Sequence, residues 1–320
     1  MKTIHSIHNN QRHRLRLSLA VLAVLVTWSQ ATPVFAQTTS PVIKINEAAA
    51  AAEISVENLR GNISVLYGSG GNIVVFSSSD GKLLVDAGIG VSRPKIEAAL
   101  ARISPAPPKY LINTHWHWDH TDGNEWLHSL GATIIAQENV LKRLSATTRV
   151  DDWDYTFQPW PVGARPTVTF KTSKTLRFGG ETVLLKNYGT GHTDGDAVIY
   201  FKRADVLALG DIFWNGYYPF IDNNTGGGIN NVIRWANASI ALANDRTIIV
   251  PGHGPAGTRA QLVEFRDMLV AIRDNVARLK KQGKSLAEVI AARPTAAYDA
   301  KWGGFVIDPE FFTRLVYAGV

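Results

Sequence analysis

The stretch THWHWDHTDGN, residues 114–124, places three histidines and two aspartates within eleven positions. It directly follows the apolar tripeptide YLI, which predicts a short buried strand. His115 and His117 are two residues apart just beyond that strand, so in extended backbone both imidazoles project to the same side and can bind one ion. Asp119 and His120 come where the chain turns toward a helix, and they can serve a second ion close by. The sequence therefore predicts a metal centre at the end of this strand.

Three further metal ligands are predicted beyond this cluster. His192 lies in the glycine-rich segment GTGHTDGD, Asp211 in LALGDIF and His253 in VPGHGP, and each segment follows an apolar strand. Loops at strand ends can converge on one edge of a sheet. Because the chain has no cysteine, nitrogen and oxygen atoms must bind any metal. His128, inside the apolar segment NEWLHSLG, lies outside this pattern and is interpreted as an ordinary helix residue.

Short apolar segments alternate with helical patterns along the rest of the chain. The segments predicted as strands are residues 63–67, 73–76, 83–85, 110–112, 132–136, 197–201, 206–209 and 247–250. Helices are predicted at residues 93–102 and 262–279, and Asp308 and Pro309 begin a last one. Strand groups that alternate with helices indicate sheets covered by helices, an α/β or α+β layered fold.

The first 36 residues have the pattern of a secretory signal peptide. Four basic residues precede the apolar core LSLAVLAVLV, and residues 34–36 (VFA) offer a cleavage site. A retained membrane anchor is the alternative, but the apolar run is shorter than the roughly 20 residues of a spanning helix. We therefore expect a cleaved leader at residues 1–36 and a single domain at residues 37–320. The mature protein would be periplasmic or secreted, without a stable membrane anchor, and would start near Gln37.

The net charge limits the kind of partner that the chain can bind. The leader holds four basic and no acidic residues, so its removal takes the formal net charge from +6 to about +2. Such a small net positive charge argues against nucleic acid as a partner. A small-molecule substrate is the partner that a metal centre in loops implies, and nothing in the sequence specifies an oligomeric state.

In their order and spacing these motifs resemble the metallo-β-lactamase superfamily of hydrolases, from the strand that ends in LLVDAG to the PGHGP segment. The resemblance implies a four-layer αββα sandwich with the site on one sheet edge. It assigns a first zinc ion to His115, His117 and His192, a second to Asp119, His120 and His253, and the bridging position to Asp211. Asp86 matches an aspartate that hydrogen-bonds the site, and its alternative role is an ordinary strand-end cap.

A two-zinc site of this kind implies hydrolysis without a protein nucleophile. Two zinc ions lower the pKa of a shared water from about 15.7 toward about 7, and the resulting hydroxide attacks a carbonyl that one ion polarises. Asp119 could orient the hydroxide and pass a proton to the leaving group. The expected substrate is an ester, lactone, thioester or lactam. Iron and manganese also suit nitrogen and oxygen ligands.

Three alternative functions stay open. The first is a β-lactamase proper, although the best-known β-lactamases of the family have a cysteine where this chain has Asp211, and a nearby lysine. The aspartate is more similar to the glyoxalase II, lactonase and phosphodiesterase branches. The second is a persulfide-dioxygenase-like protein, which would bind one iron through His115, His192 and Asp211. The third is a non-catalytic metal-binding protein, against which the complete ligand set argues.

Residues 212–228, IFWNGYYPFIDNNTGGG, directly follow Asp211 and are expected to form one wall of the substrate pocket. The side chains expected in that wall are Phe213, Trp214, Asn215, Tyr217, Tyr218 and Phe220, and the alternative is that the aromatic ones pack the segment onto the core. The segment has no lysine or arginine, so it favours an uncharged apolar substrate over a carboxylate. The glycines at 226–228 would let the segment move. Arg259 is the nearby cation that could bend inward.

Overall fold

Two β-sheets packed face to face form the centre of the molecule, which the computed structural model describes over residues 40–320. The expected signal peptide at residues 1–36 lies outside this range. In chain order the strands are β1 (Ser55–Asn58), β2 (Ile63–Tyr67), β3 (Ile73–Ser78), β4 (Gly81–Val85), β5 (Pro108–Ile112), β6 (Thr133–Gln137), β7 (Thr148–Val150), β8 (Tyr155–Phe157), β9 (Val168–Phe170), β10 (Ser173–Phe178), β11 (Glu181–Lys186), β12 (Val198–Phe201), β13 (Val206–Ala208) and β14 (Ile248–Val250). The α-helices are α1 (Pro41–Ala51), α2 (Arg93–Ile103), α3 (Trp118–Thr121), α4 (Asn124–Ser129), α5 (Glu138–Leu144), α6 (Ile229–Leu242), α7 (Arg259–Lys281), α8 (Leu286–Ala291), α9 (Asp299–Trp302) and α10 (Pro309–Ala318).

The first sheet has the strand order β1-β2-β3-β4-β5-β6-β9. Its first four strands pair antiparallel, and β3 and β4 form a hairpin with its turn at Asp80 and Gly81. The remaining neighbours in this sheet, β4 with β5, β5 with β6 and β6 with β9, pair parallel. Parallel neighbours need a crossover connection, which α2 supplies between β4 and β5, and α3 and α4 supply between β5 and β6. The carboxyl ends of β4 and β5 therefore meet at one edge.

The second sheet has the order β10-β11-β12-β13-β14. It is antiparallel except for β13 and β14, which pair parallel across the crossover helix α6. The register places Ala208 opposite Val250. The residues that follow these two strands consequently leave the sheet side by side.

Three apolar clusters connect the layers. Side chains such as Val85 and Val206 fill the space between the sheets. Leu100 of α2 packs on the outer face of the first sheet, and Trp235 and Phe265 of α6 and α7 belong to the cluster that covers the second. This arrangement of helix, sheet, sheet and helix confirms the expected four-layer αββα sandwich.

The carboxyl-terminal helices follow their sequence signals. α7 begins with a capping box between Thr258 and Gln261 and buries the predicted apolar stripe that includes Leu262 and Leu269. Asp308 caps α10 by accepting a hydrogen bond from Phe311 N at 2.7 Å. Within residues 40–320, no helix combines the length and the apolar character that crossing a membrane requires.

Candidate metal centre

The predicted metal ligands lie beyond the carboxyl ends of strands in both sheets. β5 leads into the segment with His115 and His117, and the loop after β11 carries His192. Asp211 and His253 follow β13 and β14, whose parallel pairing places them side by side. Loops from both sheets therefore converge on one edge of the sandwich, as strand-end loops are expected to do.

Two adjoining clusters of buried side chains offer metal ligands. In each cluster the ligand atoms lie within 4.8 Å of one another, and the clusters comprise His115, His117, His192 and Asp211 in one and Asp119, His120 and His253 in the other. These are the ligand groups that the family resemblance implies, with the implied bridging residue Asp211 included in the first. All seven predicted side chains are thus brought together.

Asp211 lies between the two clusters. Its Oδ2 is 3.8 Å from His115 Nε2 and 3.6 Å from His192 Nε2. Its Oδ1 is 3.1 Å from His120 Nε2 and 3.5 Å from His253 Nε2. One carboxylate oxygen therefore faces each cluster, which is the geometry that a bridging ligand requires.

Several ligand atoms in these clusters are buried without a hydrogen-bond partner in the described part of the chain. They include His115 Nε2, His120 Nε2 and Asp211 Oδ1. Buried polar atoms are nearly always paired, so several orphaned acceptors at one place indicate a cation site. Imidazole and carboxylate ligands without thiolate suit zinc, and they also suit iron or manganese. The residues present therefore fit a pair of divalent metal ions.

Asp86 holds Thr114 and His120 in position through hydrogen bonds. Its carboxylate accepts hydrogen bonds from Thr114 N and Thr114 Oγ1, both at 2.7 Å, and from His120 Nδ1 at 2.8 Å. Because Nδ1–H is held by the carboxylate, the Nε2 lone pair of a neutral His120 is directed at the site. Asp86 has a φ of 64°, a left-handed conformation that aspartate tolerates better than most residues. The hydrogen bonds expected of Asp86 are present.

Asp222 is absent from the predicted site residues, yet it positions His117. Its Oδ2 is 3.0 Å from His117 Nε2 and accepts a hydrogen bond from Thr225 Oγ1 at 2.6 Å. His117 thereby presents Nδ1 to the first cluster, 3.0 Å from His192 Nε2. His192 Nδ1 lies 2.9 Å from the carbonyl of Phe220. The sequence did contain a signal for Asp222. It is an acidic residue inside the apolar segment YYPFID, and a carboxylate buried there needs a partner.

Burial and charge set the proton affinities of the ligands. Burial lowers the pKa of His192 to about 4 and that of His115 well below its usual value, which favours neutral imidazoles. Burial opposes ionisation of Asp211, but the charges of His120 and His253 outweigh it and hold the Asp211 pKa well below the usual carboxyl range. Against the effect of burial, the Asp211 carboxylate raises the pKa of His253 to about 9. Bound cations compete with protons for these nitrogens.

Two glycines bring backbone directly against the ligands. A Cβ at Gly71 would fall on the His120 imidazole, and a Cβ at Gly252 would fall on Asp211 Oδ1. The Gly71 N–H donates to the Asp119 carbonyl at 3.1 Å, so this close approach is part of the hydrogen-bonded structure. Backbone contact therefore confines the ligand side chains in addition to their hydrogen bonds.

A cavity of about 450 Å³ adjoins the metal ligands, within the size range of small-molecule sites. His117, Asp119, Asp211 and His253 line its inner side. Most of its other walls are apolar or aromatic, and the aromatic side chains among them are Tyr67, Trp118, Trp153, Trp214, Tyr217, Phe220 and Phe305. Within residues 40–320, neither lysine nor arginine lines this cavity.

Residues 212–228 form part of the cavity wall, as expected, but only half of the predicted side chains reach it. Those that line the cavity are Trp214, Tyr217 and Phe220. Phe213 packs edge-on against Phe265, and Tyr218 stacks on Phe312 with the ring centroids 4.6 Å apart. Asn215 donates to the backbone carbonyl of residue 255. The other three side chains therefore hold the segment on the core, so their assignment to the wall was wrong.

Contacts in the structure also bear on the glycines at 226–228 and on Arg259. The glycines at 226–228 fasten the segment: Gly227 N–H donates to the Asp222 carbonyl, and a Cβ at Gly227 would meet the His192 backbone. Close packing therefore requires glycine at position 227. Arg259 donates to the Ile240 carbonyl at 3.1 Å and does not line the cavity.

Comparison with known proteins agrees with this geometry. Residues 66–253, more than half of the chain, match the metallo-β-lactamase superfamily. The chain therefore belongs to the metallo-β-lactamase superfamily, and it is a metal-dependent hydrolase.

The relatives found by sequence are distant. A metallo-β-lactamase type 2 of Bacillus cereus is 25% identical over 227 residues, which cover 68% of this chain and 82% of the relative. A protein of the same description from Bacillus sp. (strain 170) is 23% identical over 200 residues, which cover 62% of this chain and 72% of the relative.

Solved structures share the fold at low identity. A metallo-β-lactamase from Pontibacter korlensis has a TM-score of 0.54 at 19% identity and covers 68% of this chain and 99% of its own. A stereoselective inverting sec-alkylsulfatase from Pseudomonas sp. has a TM-score of 0.60 at 15% identity and covers 82% of this chain and 50% of its own. This chain thus spans half the length of the sulfatase.

Replacement of Asp222 by alanine is expected to weaken metal binding by roughly 10- to 100-fold, because His117 loses the acceptor that fixes its ring. Titration against a chromophoric chelator measures the affinity. Asp222→Asn keeps the side-chain shape and one acceptor oxygen, so its loss should be smaller. Asp151→Ala removes an exposed carboxylate and serves as the control. Unchanged affinity in Asp222→Ala would show that His117 needs no such support.

Proposed function

We propose that the chain hydrolyses an uncharged carbonyl compound, namely an ester, lactone, thioester or lactam, with two zinc ions bound by the seven ligands. The observation that carries the proposal is that these ligands adjoin a cavity whose other walls are mostly apolar or aromatic. The reaction would take place at the metal ligands, and the apolar walls would bind an apolar substrate. Superfamily membership alone gives only metal-dependent hydrolysis.

Two bound zinc ions would lower the pKa of water toward about 7 and polarise the substrate carbonyl. The protein's own groups orient the reactants. Asp119 belongs to the ligand clusters and also lines the cavity, so its carboxylate can accept a hydrogen bond from the attacking water. The bound cations would favour the ionised form of Asp119, because a neighbouring positive charge lowers the pKa of a carboxyl group. Asp119 is therefore ionised at neutral pH and can carry a proton to the leaving group.

Metal analysis of the purified protein, combined with assays on lactam, lactone, thioester and phosphodiester substrates, tests the proposal. Two zinc ions per chain with turnover of a carbonyl substrate are expected. A single iron would favour the persulfide-dioxygenase-like alternative, with iron bound by His115, His192 and Asp211. Full zinc occupancy without turnover of any substrate in the panel would favour a non-catalytic metal-binding protein.

We expect a neutral lactone to be hydrolysed with higher kcat/KM than a penicillin or an alkyl sulfate. The cavity walls in the described part of the chain hold no lysine or arginine to pair with an anionic group. A charge-assisted hydrogen bond is worth about 1.5–3 kcal/mol, which corresponds to one to two decades in affinity. The methyl ester of the same penicillin is the matched control, because it keeps the lactam and lacks the charge. Faster hydrolysis of the free acid than of both neutral compounds would favour a β-lactamase proper.

A further inference from the structure

Two walls of the substrate cavity come from parts of the chain outside residues 66–253, the region shared with the superfamily. The first wall is α1 together with Ala52, and the second is the segment between α9 and α10 that contains Phe305 and Val306. The seven metal ligands all lie inside the shared region. The shape of the cavity can therefore vary through these two walls while the metal centre stays the same.

α1 presents mainly small side chains to the cavity. Ile45, Ala48, Ala49 and Ala52 line it, and their spacing of i, i+3, i+4 and i+7 places them on one helix face. Ala48 is exposed and Ala52 is half-buried, so larger side chains at these positions would project into the cavity. The alanine run at residues 48–52 thus keeps open the space beside the metal centre.

Hydrogen bonds along α1 hold it against the aromatic side of the cavity. Ser40 Oγ donates to the Trp153 carbonyl at 2.7 Å, and Trp118 Nε1 donates to Asn46 Oδ1 at 2.9 Å. Lys95 Nζ donates to backbone carbonyls at the carboxyl end of the helix, where a cation is favourable. Trp118 and Trp153 themselves line the cavity. α1 is therefore a fixed wall, so the residues on its inner face determine how much space a ligand finds.

Phe305 and Val306 extend the apolar surface of the cavity toward solvent. Their side chains are 44% and 39% exposed, which is high for large apolar residues. The Phe305 ring lies 4.7 Å from that of Tyr217 and 6.1 Å from that of Trp214. An apolar group that fills the cavity would cover this surface, and removal of apolar surface from water favours binding.

We propose that the cavity selects substrates by the length of an uncharged alkyl or acyl group, with Ala48 of α1 and Ala52, directly after the helix, setting the limit. As a selection of substrates, this proposal rests on the proposed hydrolysis. Selection itself depends only on the walls, so it can be measured by binding without turnover.

Binding of straight-chain alcohols from butanol to decanol to the zinc-loaded protein tests the proposal. Trp118, Trp153 and Trp214 line the cavity, so their fluorescence reports occupancy. Each added methylene should tighten binding roughly fourfold until the cavity is full. Ala48→Phe should shorten the longest alcohol that still gains affinity and weaken decanol binding by about tenfold or more, the equivalent of roughly two methylenes. Ala52→Leu should have a smaller effect in the same direction.

Ala50→Phe is the matched control, because residue 50 lies on the opposite side of α1 and does not line the cavity. Its alcohol series should equal that of the wild type, and the zinc content of all variants should be unchanged. An identical series for Ala48→Phe, Ala52→Leu and Ala50→Phe would overturn the proposal, as would wild-type affinity independent of alcohol length. Length-dependent binding without hydrolysis of any carbonyl substrate would support the selection and refute the proposed function.

Discussion

The Asp211→Ala variant is expected to lose more than about 100-fold in metal affinity and to have no measurable hydrolytic activity. Loss of an outer hydrogen-bond partner of a metal ligand costs about 10- to 100-fold, and loss of a direct ligand should cost more. Asp211 contributes one oxygen to each cluster, so its removal affects both sites at once. Equilibrium dialysis with zinc and assay of a neutral lactone measure the two effects.

Asp211→Asn is the matched variant, since it keeps the volume and removes the charge. The amide still offers one oxygen, so we expect it to retain part of the affinity at one cluster only. The fold should survive both substitutions, because Asp211 follows β13 in a turn and does not pack within the sheets. A far-UV spectrum that shows unfolding of Asp211→Ala, with normal zinc affinity in the folded fraction, would contradict the bridging role.

The Asp86→Ala variant is expected to be destabilised by about 3–5 kcal/mol and to bind metal weakly, because the substitution removes a buried charge from its partners. The Thr114 N–H and hydroxyl and the His120 imidazole would all lose their acceptor. Alanine also adopts the left-handed conformation at this position less readily than aspartate, which adds to the loss of stability. Urea unfolding of the chelated and the zinc-loaded protein measures both consequences.

Asp86→Asn separates the contributions of charge and conformation. Asparagine tolerates the left-handed backbone and keeps one acceptor oxygen, so it should be destabilised less than the alanine variant. Asp80→Ala, in the exposed turn between β3 and β4, provides a control for loss of a surface aspartate. Equal stability of Asp86→Ala and the wild type would show that Thr114 and His120 are held by other contacts.

Several metal ligands, namely His115, His117, Asp211 and His253, could be predicted because two signals coincide at them. The residue type is one that binds metals, and the position directly follows an apolar strand. His253 illustrates this: the strand at 247–250 fixes its place at the sheet edge, even though a histidine in a PGHGP turn carries little information alone. The fold was predictable for the same reason, since apolar strand segments and the stripe of α7 must be buried.

Residues that act across long sequence separations were harder to predict. Asp222 meets His117 from 105 positions away, and no local pattern reports that contact. α1 is held beside the cavity by contacts with Trp118, Trp153 and Lys95, which lie far from it in the sequence. In contrast, the hairpin of β10 and β11 had a local signal, the alternating segments on either side of Gly179 and Gly180, but it is missing from the predicted strands.

The aromatic residues after Asp211 show the limit of composition as a guide. Trp214 and Tyr218 look equivalent in the sequence, yet Trp214 lines the cavity and Tyr218 is fully buried against Phe312. Which role an aromatic ring takes depends on the direction of its side chain, and in an irregular segment no period fixes that direction. Only the tertiary structure separates the two groups.

The glycines that touch the metal ligands affect how sequence variation in this protein would be interpreted. Any side chain at Gly71 or Gly252 would overlap His120 or Asp211, so substitution there should abolish activity as completely as substitution of the ligand itself. A saturation mutagenesis screen would therefore report more intolerant positions than there are chemically active residues. Added zinc distinguishes ligand positions from glycine positions. Excess metal can compensate for weakened ligation, but it cannot make room for a side chain.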